Sequence, residues 1–342
     1  MGAADAFSRL IELLEAVVTE REVKAADGTV SMQRPVIIQT HDYPDHDAVA
    51  AAYGLQQLLL RFNIHPQIVY RGMIQSHSLW AMITELDISL IRVDELVPEN
   101  LLNIPCIVVD GNPNNTNARP LNQNLFGVVD HHVDSKTPEC PFVDIRTSYG
   151  SCSTIVADYW EESNLAPEKN TATALLMGIE MDTDFLSRST GPSDLDALHR
   201  LFFRADWQYG TQTLKSSLSV KDIPIFVMAG TNAKINNTLF FTTINTEASK
   251  ELVSILADFF LRLREIAVSV IVEDQPNRRH VSVRSKSADI SASVVIRKAL
   301  NMIGSGGGHE YMAGGDIDTS VEISNEDLFQ RFIDAVKFAQ EI

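Results

Sequence analysis

Apolar positions fall into two periods along the chain. Between Val36 and about Phe185, short apolar runs read as buried strands: Val36-Ile37-Ile38, Ile68-Val69-Tyr70, Ile107-Val108-Val109 and Gly127-Val128-Val129. Ala48–Phe62 and Ser153–Glu162 carry helical spacing between and after them. Strands alternating with helices predict a parallel sheet with helices on both faces. In such sheets ligands bind beyond the carboxyl ends of the strands. Upstream, Phe7, Leu10, Leu14 and Val17 predict an amphipathic helix over Phe7–Val18.

The pattern then changes. Leu195, Leu198, Leu201 and Phe202 predict a helical connector between about Leu186 and Thr231. Beyond it, Phe240–Ile244, Ala267–Val272 and Val281–Arg284 read as strands, Ser249–Arg264 and Ala288–Met302 as helices, and Gly304–His309 as a glycine-rich loop. The expected class is therefore α/β. A parallel-sheet domain covers residues 1–185, N-terminal helix included. A helical connector covers 186–231, and a smaller α/β domain covers 232–342.

Composition narrows what the chain can do. It has 342 residues, 45% hydrophobic and 21% charged, a globular profile. Its net charge of −17 argues against duplex DNA as a partner, because gripping a phosphate backbone needs basic surface. A small anion held through metal ions remains open. Cys106, Cys140 and Cys152 form no CxxC pair and no disulfide framework. No apolar run reaches the roughly 18 residues of a membrane span. The expectation is a cytoplasmic protein without a membrane partner.

The chemistry lies where acids and histidines follow apolar runs. Thr40-His41-Asp42-Tyr43-Pro44-Asp45-His46-Asp47 follows the first strand, Asp110 the third, and Asp130-His131-His132 the fourth; Asp182 closes Met177–Met181. One aspartate alone is as readily a helix cap, and Asp47 fits as the cap of the helix from Ala48. The coincidence at successive elements is what points to metal. Carboxylate with imidazole suits Mn²⁺ or a similar divalent ion, and the lack of cysteine ligands disfavours structural zinc. Asp45, Asp47, Asp110 and Asp182 together would repel one another without cations. Two divalent ions bridged by one carboxylate would neutralise them and serve displacement at phosphorus. Gly306-Gly307-Gly308 offers backbone N–H groups to a phosphate, and Arg284 ends a strand with a bidentate donor.

These residues resemble the DHH phosphoesterase superfamily, in the branch with a DHHA1 domain. The matching motifs are His41-x-x-x-Asp45-x-Asp47, Val108-Val109-Asp110, Asp130-His131-His132, Gly178-Ile179-x-x-Asp182-Thr183-x-Phe185, and Gly306-Gly307-Gly308-His309 with Ala313-Gly314 beyond. The resemblance implies roles. His41, Asp45 and Asp110 would hold one Mn²⁺. Asp47, Asp110, His131 and Asp182 would hold a second, with Asp110 bridging. Asp130 would orient a histidine, and His132 would face the substrate phosphate. Arg284, Gly307, Gly308 and His309 would bind the far nucleotide or its terminal phosphate, with Ser151 and Ser153 also near substrate. Asp184 stands where a glycine is commoner, and Glu310-Tyr311-Met312 replaces basic and small residues.

In length the chain is similar to the stand-alone enzymes called nanoRNase or oligoribonuclease A. That implies hydrolysis of very short RNA oligonucleotides, linear dinucleotides such as pGpG or pApA, to nucleoside 5′-monophosphates. Within the family the alternatives are a cyclic di-AMP phosphodiesterase or a 3′-phosphoadenosine 5′-phosphate phosphatase. From another class, the alternative is an inactive nucleotide sensor. Family members are often homodimers.

Overall fold

The structure is a computed structural model. It describes residues 6–24, 30–74, 76–96, 103–115, 117–121, 123–133, 136–216, 218–275, 278–318 and 320–341. The chain divides into two compact units, Met1–Ser217 and Leu218–Ile342.

The first unit begins with helix α1 (Ala6–Val17) and a small antiparallel pair, β1 (Arg21–Lys24) with β2 (Val30–Gln33). Its sheet is built from β3 (Pro35–Gln39), β4 (His65–Tyr70), β5 (Leu90–Arg92), β6 (Cys106–Val109), β7 (Leu125–Asp130) and β8 (Phe142–Ile145). All its pairings are parallel, in the order β5-β4-β3-β6-β7-β8. The four apolar runs expected as strands form β3, β4, β6 and β7. Their side chains are buried on both faces, which is why they read as continuous apolar runs rather than alternating ones.

Strand order decides where a site can form. The chain winds outward from β3 to β5, then returns to lay β6 against the other edge of β3 and winds on to β8. Loops leaving the carboxyl ends of β3 and β6 therefore diverge, and the gap between them is the crevice of an open α/β sheet.

The helices are α2 (His46–Leu60), α3 (His77–Glu85), α4 (Cys152–Glu162), α5 (Lys169–Asp182), α6 (Pro192–Phe202) and α7 (Trp207–Lys215). With α1 they share one apolar cluster against one face of the sheet. The expectation of helices on both faces is corrected here. Among the described residues the opposite face is covered by loop side chains, such as Val93, Leu96, Ile104, Ala118 and Leu121. Gly111-Asn112-Pro113-Asn114-Asn115, in the crossover from β6 to β7, favours turns over a helix. The supposed connector, 186–231, is also divided. Ala197, Leu201 and Leu214 of α6 and α7 belong to the first unit's core, whereas Ala229 packs in a cluster of the second unit.

The second unit holds α8 (Ile223–Thr231), β9 (Lys234–Asn236), β10 (Leu239–Ile244), α9 (Lys250–Leu261), β11 (Val268–Gln275), β12 (Arg278–Ser285), α10 (Ala292–Leu300), β13 (Gly304–Gly308), β14 (Met312–Ile317) and α11 (Asn325–Gln340). Its sheet runs β13-β14-β12-β11-β10-β9 and is antiparallel except where β10 pairs β11. α10 and α11 pack on one face, α8 and α9 on the other. The glycine run is not a loop. It is the edge strand β13, from Gly304 opposite Ile317 to Gly308 opposite Ala313. Gly306 has no room for a side chain, since a Cβ there would come within 2.9 Å of Ile296. No described helix is long and apolar enough to cross a membrane.

Helices α2 and α5 make the tightest joint of the first unit. A Cβ on Gly54 would come within 2.7 Å of Leu175 Cδ2 and 3.0 Å of Val156 Cγ1. Alanine in place of a mid-helix glycine ordinarily gains about 1 kcal/mol, but overpacking a buried joint costs about 1–3 kcal/mol. The clash outweighs the gain, so Gly54→Ala should lower the unfolding free energy by up to about 2 kcal/mol in urea titration. A rise would show that the joint has slack.

Candidate metal centre

Four segments of the chain deliver donors to the gap between β3 and β6. His41 follows β3, and Asp45 caps α2 through its carboxylate, which accepts from the Ala48 N–H at 3.0 Å. The cap is therefore Asp45, not Asp47. Asp47, in the first turn of α2, is buried and turned inward. Asp110 follows β6 with a left-handed backbone, φ 56°, a conformation an aspartate tolerates better than most residues. Asp130 ends β7 with His131 and His132 directly behind it, and Asp182 ends α5.

These side chains meet. His41 Nε2 lies 3.8 Å from Asp45 Oδ2 and 3.6 Å from Asp110 Oδ2. His131 Nε2 lies 3.4 Å from Asp110 Oδ1, 3.1 Å from Asp182 Oδ2 and 3.9 Å from Asp47 Oδ2. The two oxygens of one carboxylate, Asp110, thus face two different imidazoles. Three donor groups result, each with its atoms within 4.8 Å of one another: His41–Asp45–Asp110, Asp47–His131–Asp182 and Asp110–His131–His132.

Backbone carbonyls set the histidine tautomers. His41 Nδ1 sits 2.9 Å from the Asp42 carbonyl and His131 Nδ1 3.2 Å from that of Tyr149. Each Nδ1–H donates there, which turns Nε2 and its lone pair toward the carboxylates once the ring is neutral. Asp130 Oδ1 accepts from the backbone N–H groups of His131 and His132, at 2.8 and 3.3 Å, and faces His132 Nδ1 at 2.9 Å. Asp130 therefore orients His132, whose side chain is 36% exposed.

A second layer fixes the first. Asp47 accepts from the backbone N–H groups of Cys152 at 2.6 Å and Ser153 at 2.8 Å, the opening turn of α4. Fully buried Asp194, on α6, accepts from the N–H groups of Gly150 at 2.9 Å and Gly191 at 2.7 Å and from Thr154 Oγ1 at 2.6 Å. It thereby clamps the loop that carries the Tyr149 carbonyl to His131. Asp194 was not among the residues singled out from the sequence. Its only local signal is an acid in the first turn of a helix that opens with Pro192.

The electrostatics call for cations. Burial, with the charges of Asp110 and Asp182, pushes the Asp47 carboxyl well above the usual carboxylate range. Burial also raises Asp182, with the charges of Asp45 and Asp110 adding to it against the attraction of the His131 imidazole 3.1 Å away. Burial disfavours a charged His41, but Asp45 and Asp110 outweigh it and raise its pKa to about 10. The same contest raises His131 well above its ordinary value and His132 to about 9. Asp110 Oδ1 and His131 Nε2 are buried without a hydrogen-bond partner. Orphaned donors, oxygen and nitrogen only, amid crowded negative charge suit divalent ions.

Other expected residues lie elsewhere. Ser151 and Ser153, expected near substrate, are fully buried. Ser151 caps α4, and Ser153 supplies the N–H to Asp47. In the second unit, Arg284 donates from Nε to Asp258 at 3.1 Å and from Nη1 to Ser282 Oγ at 3.1 Å. Gly307, Gly308 and His309 are exposed at the end of β13 and the turn beyond it.

Known families decide the relationship. Residues 35–179 match the DHH family, N-terminal domain, and residues 236–339 match the DHHA1 domain. The chain belongs to the DHH phosphoesterase family. It is 25% identical over 320 residues to the uncharacterized protein MJ1633 of Methanocaldococcus jannaschii, 92% of this chain and 63% of that protein. It is also 25% identical over 191 residues to a probable manganese-dependent inorganic pyrophosphatase of Streptococcus thermophilus, 54% of this chain and 61% of that protein. The chain thus spans less than two thirds of both relatives. The fold is that of an exopolyphosphatase-related protein from Bacteroides fragilis, with a TM-score of 0.78 at 16% identity over 98% of this chain and 96% of that one.

Two measurements test the centre. Near pH 7.5 the ion-free protein holds His41, with a pKa of about 10, protonated, and the carboxylates push His131 the same way, so binding Mn²⁺ should expel at least one proton. Affinity then rises with pH up to the region of His41's pKa, about 10, and falls as protons reclaim the rings. Titration calorimetry in buffers of different ionisation enthalpy reads the count; fewer than about one proton would contradict the assignment. In Gly178→Ala, the new Cβ would sit 2.2 Å from Ser153 Oγ and 3.0 Å from Asp47 Oδ1. That should weaken Mn²⁺ binding by roughly 10–100-fold, the usual cost of disturbing a ligand's support. Unchanged affinity would show that Asp47 is not a ligand.

Proposed function

We propose that the protein is a two-metal phosphodiesterase that hydrolyses very short oligoribonucleotides, linear dinucleotides in particular, to nucleoside 5′-monophosphates. The supporting observation is the Asp110 carboxylate, with Oδ2 toward His41 and Oδ1 toward His131. One ion would be held by His41, Asp45 and Asp110, the other by Asp47, Asp110, His131 and Asp182. Bound there, two divalent ions supply Lewis acidity to the scissile phosphate and to the attacking water.

The chain's own residues do the rest. Asp130 holds the Nδ1–H of His132, leaving Nε2 to meet a phosphate oxygen. The Asp130 carboxylate favours the protonated imidazole, whose Nε2–H would offset charge that builds on the phosphate. Tyr149 and Asp42 keep both ligating imidazoles in register. Manganese is our choice of ion from the mixed carboxylate–imidazole donors, and the pyrophosphatase relative is named as manganese-dependent. The net charge of −17 favours a short substrate over a long polyanion, which would gain affinity from basic tracks. In the second unit we assign substrate contacts to Arg284, Gly307, Gly308 and His309.

Mn²⁺-loaded protein should release mononucleotides from pApA and pGpG faster than it turns over cyclic di-AMP or 3′-phosphoadenosine 5′-phosphate. Intact dinucleotides would refute the substrate class. Asp110→Ala should reduce turnover by well over ~100-fold, since both ions lose a ligand. Retained activity would remove the bridging role.

A further inference from the structure

Between His41 and Asp45 the chain places a residue the metal centre does not use. Tyr43 has a left-handed backbone, φ 57°. For a bulky side chain this costs of order 1–2 kcal/mol, and asparagine or glycine would sit there with less strain. The turn is over-determined. The Tyr43 N–H donates to the Arg71 carbonyl at 2.9 Å, and the Asp42 N–H donates to the Asn117 carbonyl. The ring lies against Gly72, where a Cβ would come within 2.7–2.9 Å of three ring atoms. Gly72 itself has φ +84°, so it is doubly unsuited to a side chain. Despite this seating, Tyr43 is 61% exposed. Met73 and Trp80, in the segment that follows, are also exposed, and the Trp80 indole N–H is held by the Ile74 carbonyl at 2.9 Å.

Position gives this ring a use. Gly72 follows β4, and β4 neighbours β3 on the side away from β6. The donors hang from the carboxyl ends of β3, β6 and β7, so Tyr43 sits over the next strand along the same sheet edge. Neighbouring strands are roughly 4.8 Å apart, a step that a ribose spans between its phosphate and its base. An exposed aromatic ring whose backbone turn is fixed between two donor residues, His41 and Asp45, offers a π-face at little further entropic cost.

We infer that Tyr43 is a stacking platform for the nucleobase attached to the phosphate at the metal centre. The inference deepens the proposed function and rests on it. Stacking tolerates any base, so the platform favours nucleotides over base-free phosphates without selecting a sequence.

The test uses Mn²⁺-loaded full-length protein and two probes, AMP and ribose 5-phosphate, with calorimetric affinities for each. The wild type should bind AMP roughly 5–100-fold more tightly than ribose 5-phosphate, the range of one base–aromatic stack. Tyr43→Ala should reduce that ratio to about 1–3, and Tyr43→Phe should keep it. Tyr43→Asn is a second ring-less variant suited to the left-handed backbone. Mn²⁺ affinity should not change in any of them. A ratio that survives in both ring-less variants overturns the stacking role, as does a wild type that binds both probes equally. Ring-less variants that lose Mn²⁺ affinity would show Tyr43 to be a support for His41 and Asp45, and also overturn it. If wild type binds neither probe, the proposed function itself fails and takes the inference with it.

Discussion

Four aspartates are held closer together than their charges allow. Asp45, Asp47, Asp110 and Asp182 come from three separate stretches of chain, and their mutual repulsion works against the fold. In the ion-free protein the strain is relieved by protons. The imidazoles of His41 and His131 stay cationic, and the Asp47 and Asp182 carboxyls are pushed toward neutrality. Cations and protons therefore compete for one set of atoms, and the rest of the first unit is organised around keeping those atoms in place.

The supporting layer follows the sheet topology. Because β3 and β6 are neighbours that are distant in sequence, the loops beyond them part and leave a crevice. Helices α4 and α5 close it from the helical face. The first turn of α4 bonds Asp47, and the last residue of α5 is Asp182. Gly178 lets the two helices and α2 approach closely enough for this, since a Cβ there would come within 2.2 Å of Ser153 Oγ and 3.0 Å of the Ala50 Cβ. Packing and chemistry share the same contacts, so a change in the α2–α5 joint acts on the site as well as on stability.

Much of this was legible in the sequence, for a physical reason. Buried parallel strands have to be apolar throughout, and donors have to follow them, so β3, β6 and β7 announce both the sheet and the centre. β5 has only three residues, and Asp144 interrupts the apolar run of β8, so neither shows a period. β13 and β14 contain Gly304–Gly308 and Gly314-Gly315, which erase the alternation a strand displays and look like turn formers instead. Helix α11 was missed, although Leu328, Phe332, Val336 and Ala339 repeat at helical spacing behind the Ser324 cap. The roles of Asp194 and of the Tyr149 carbonyl were hidden. One depends on a partner more than 40 residues away, and the other on a backbone atom that every residue possesses. Ser151 and Ser153 show the converse, since small polar residues beside a motif hold its frame as readily as its substrate.

The left-handed backbone at Asp110 narrows what mutation can do there. Asparagine and glycine are the replacements that keep the turn without new strain. Asparagine would also delete one charge from the crowded pocket. The substitutions that keep this turn and shed a charge would also discard the carboxylate that faces both imidazoles. At position 110 the demands of folding without ions and of gathering the donors pull in opposite directions.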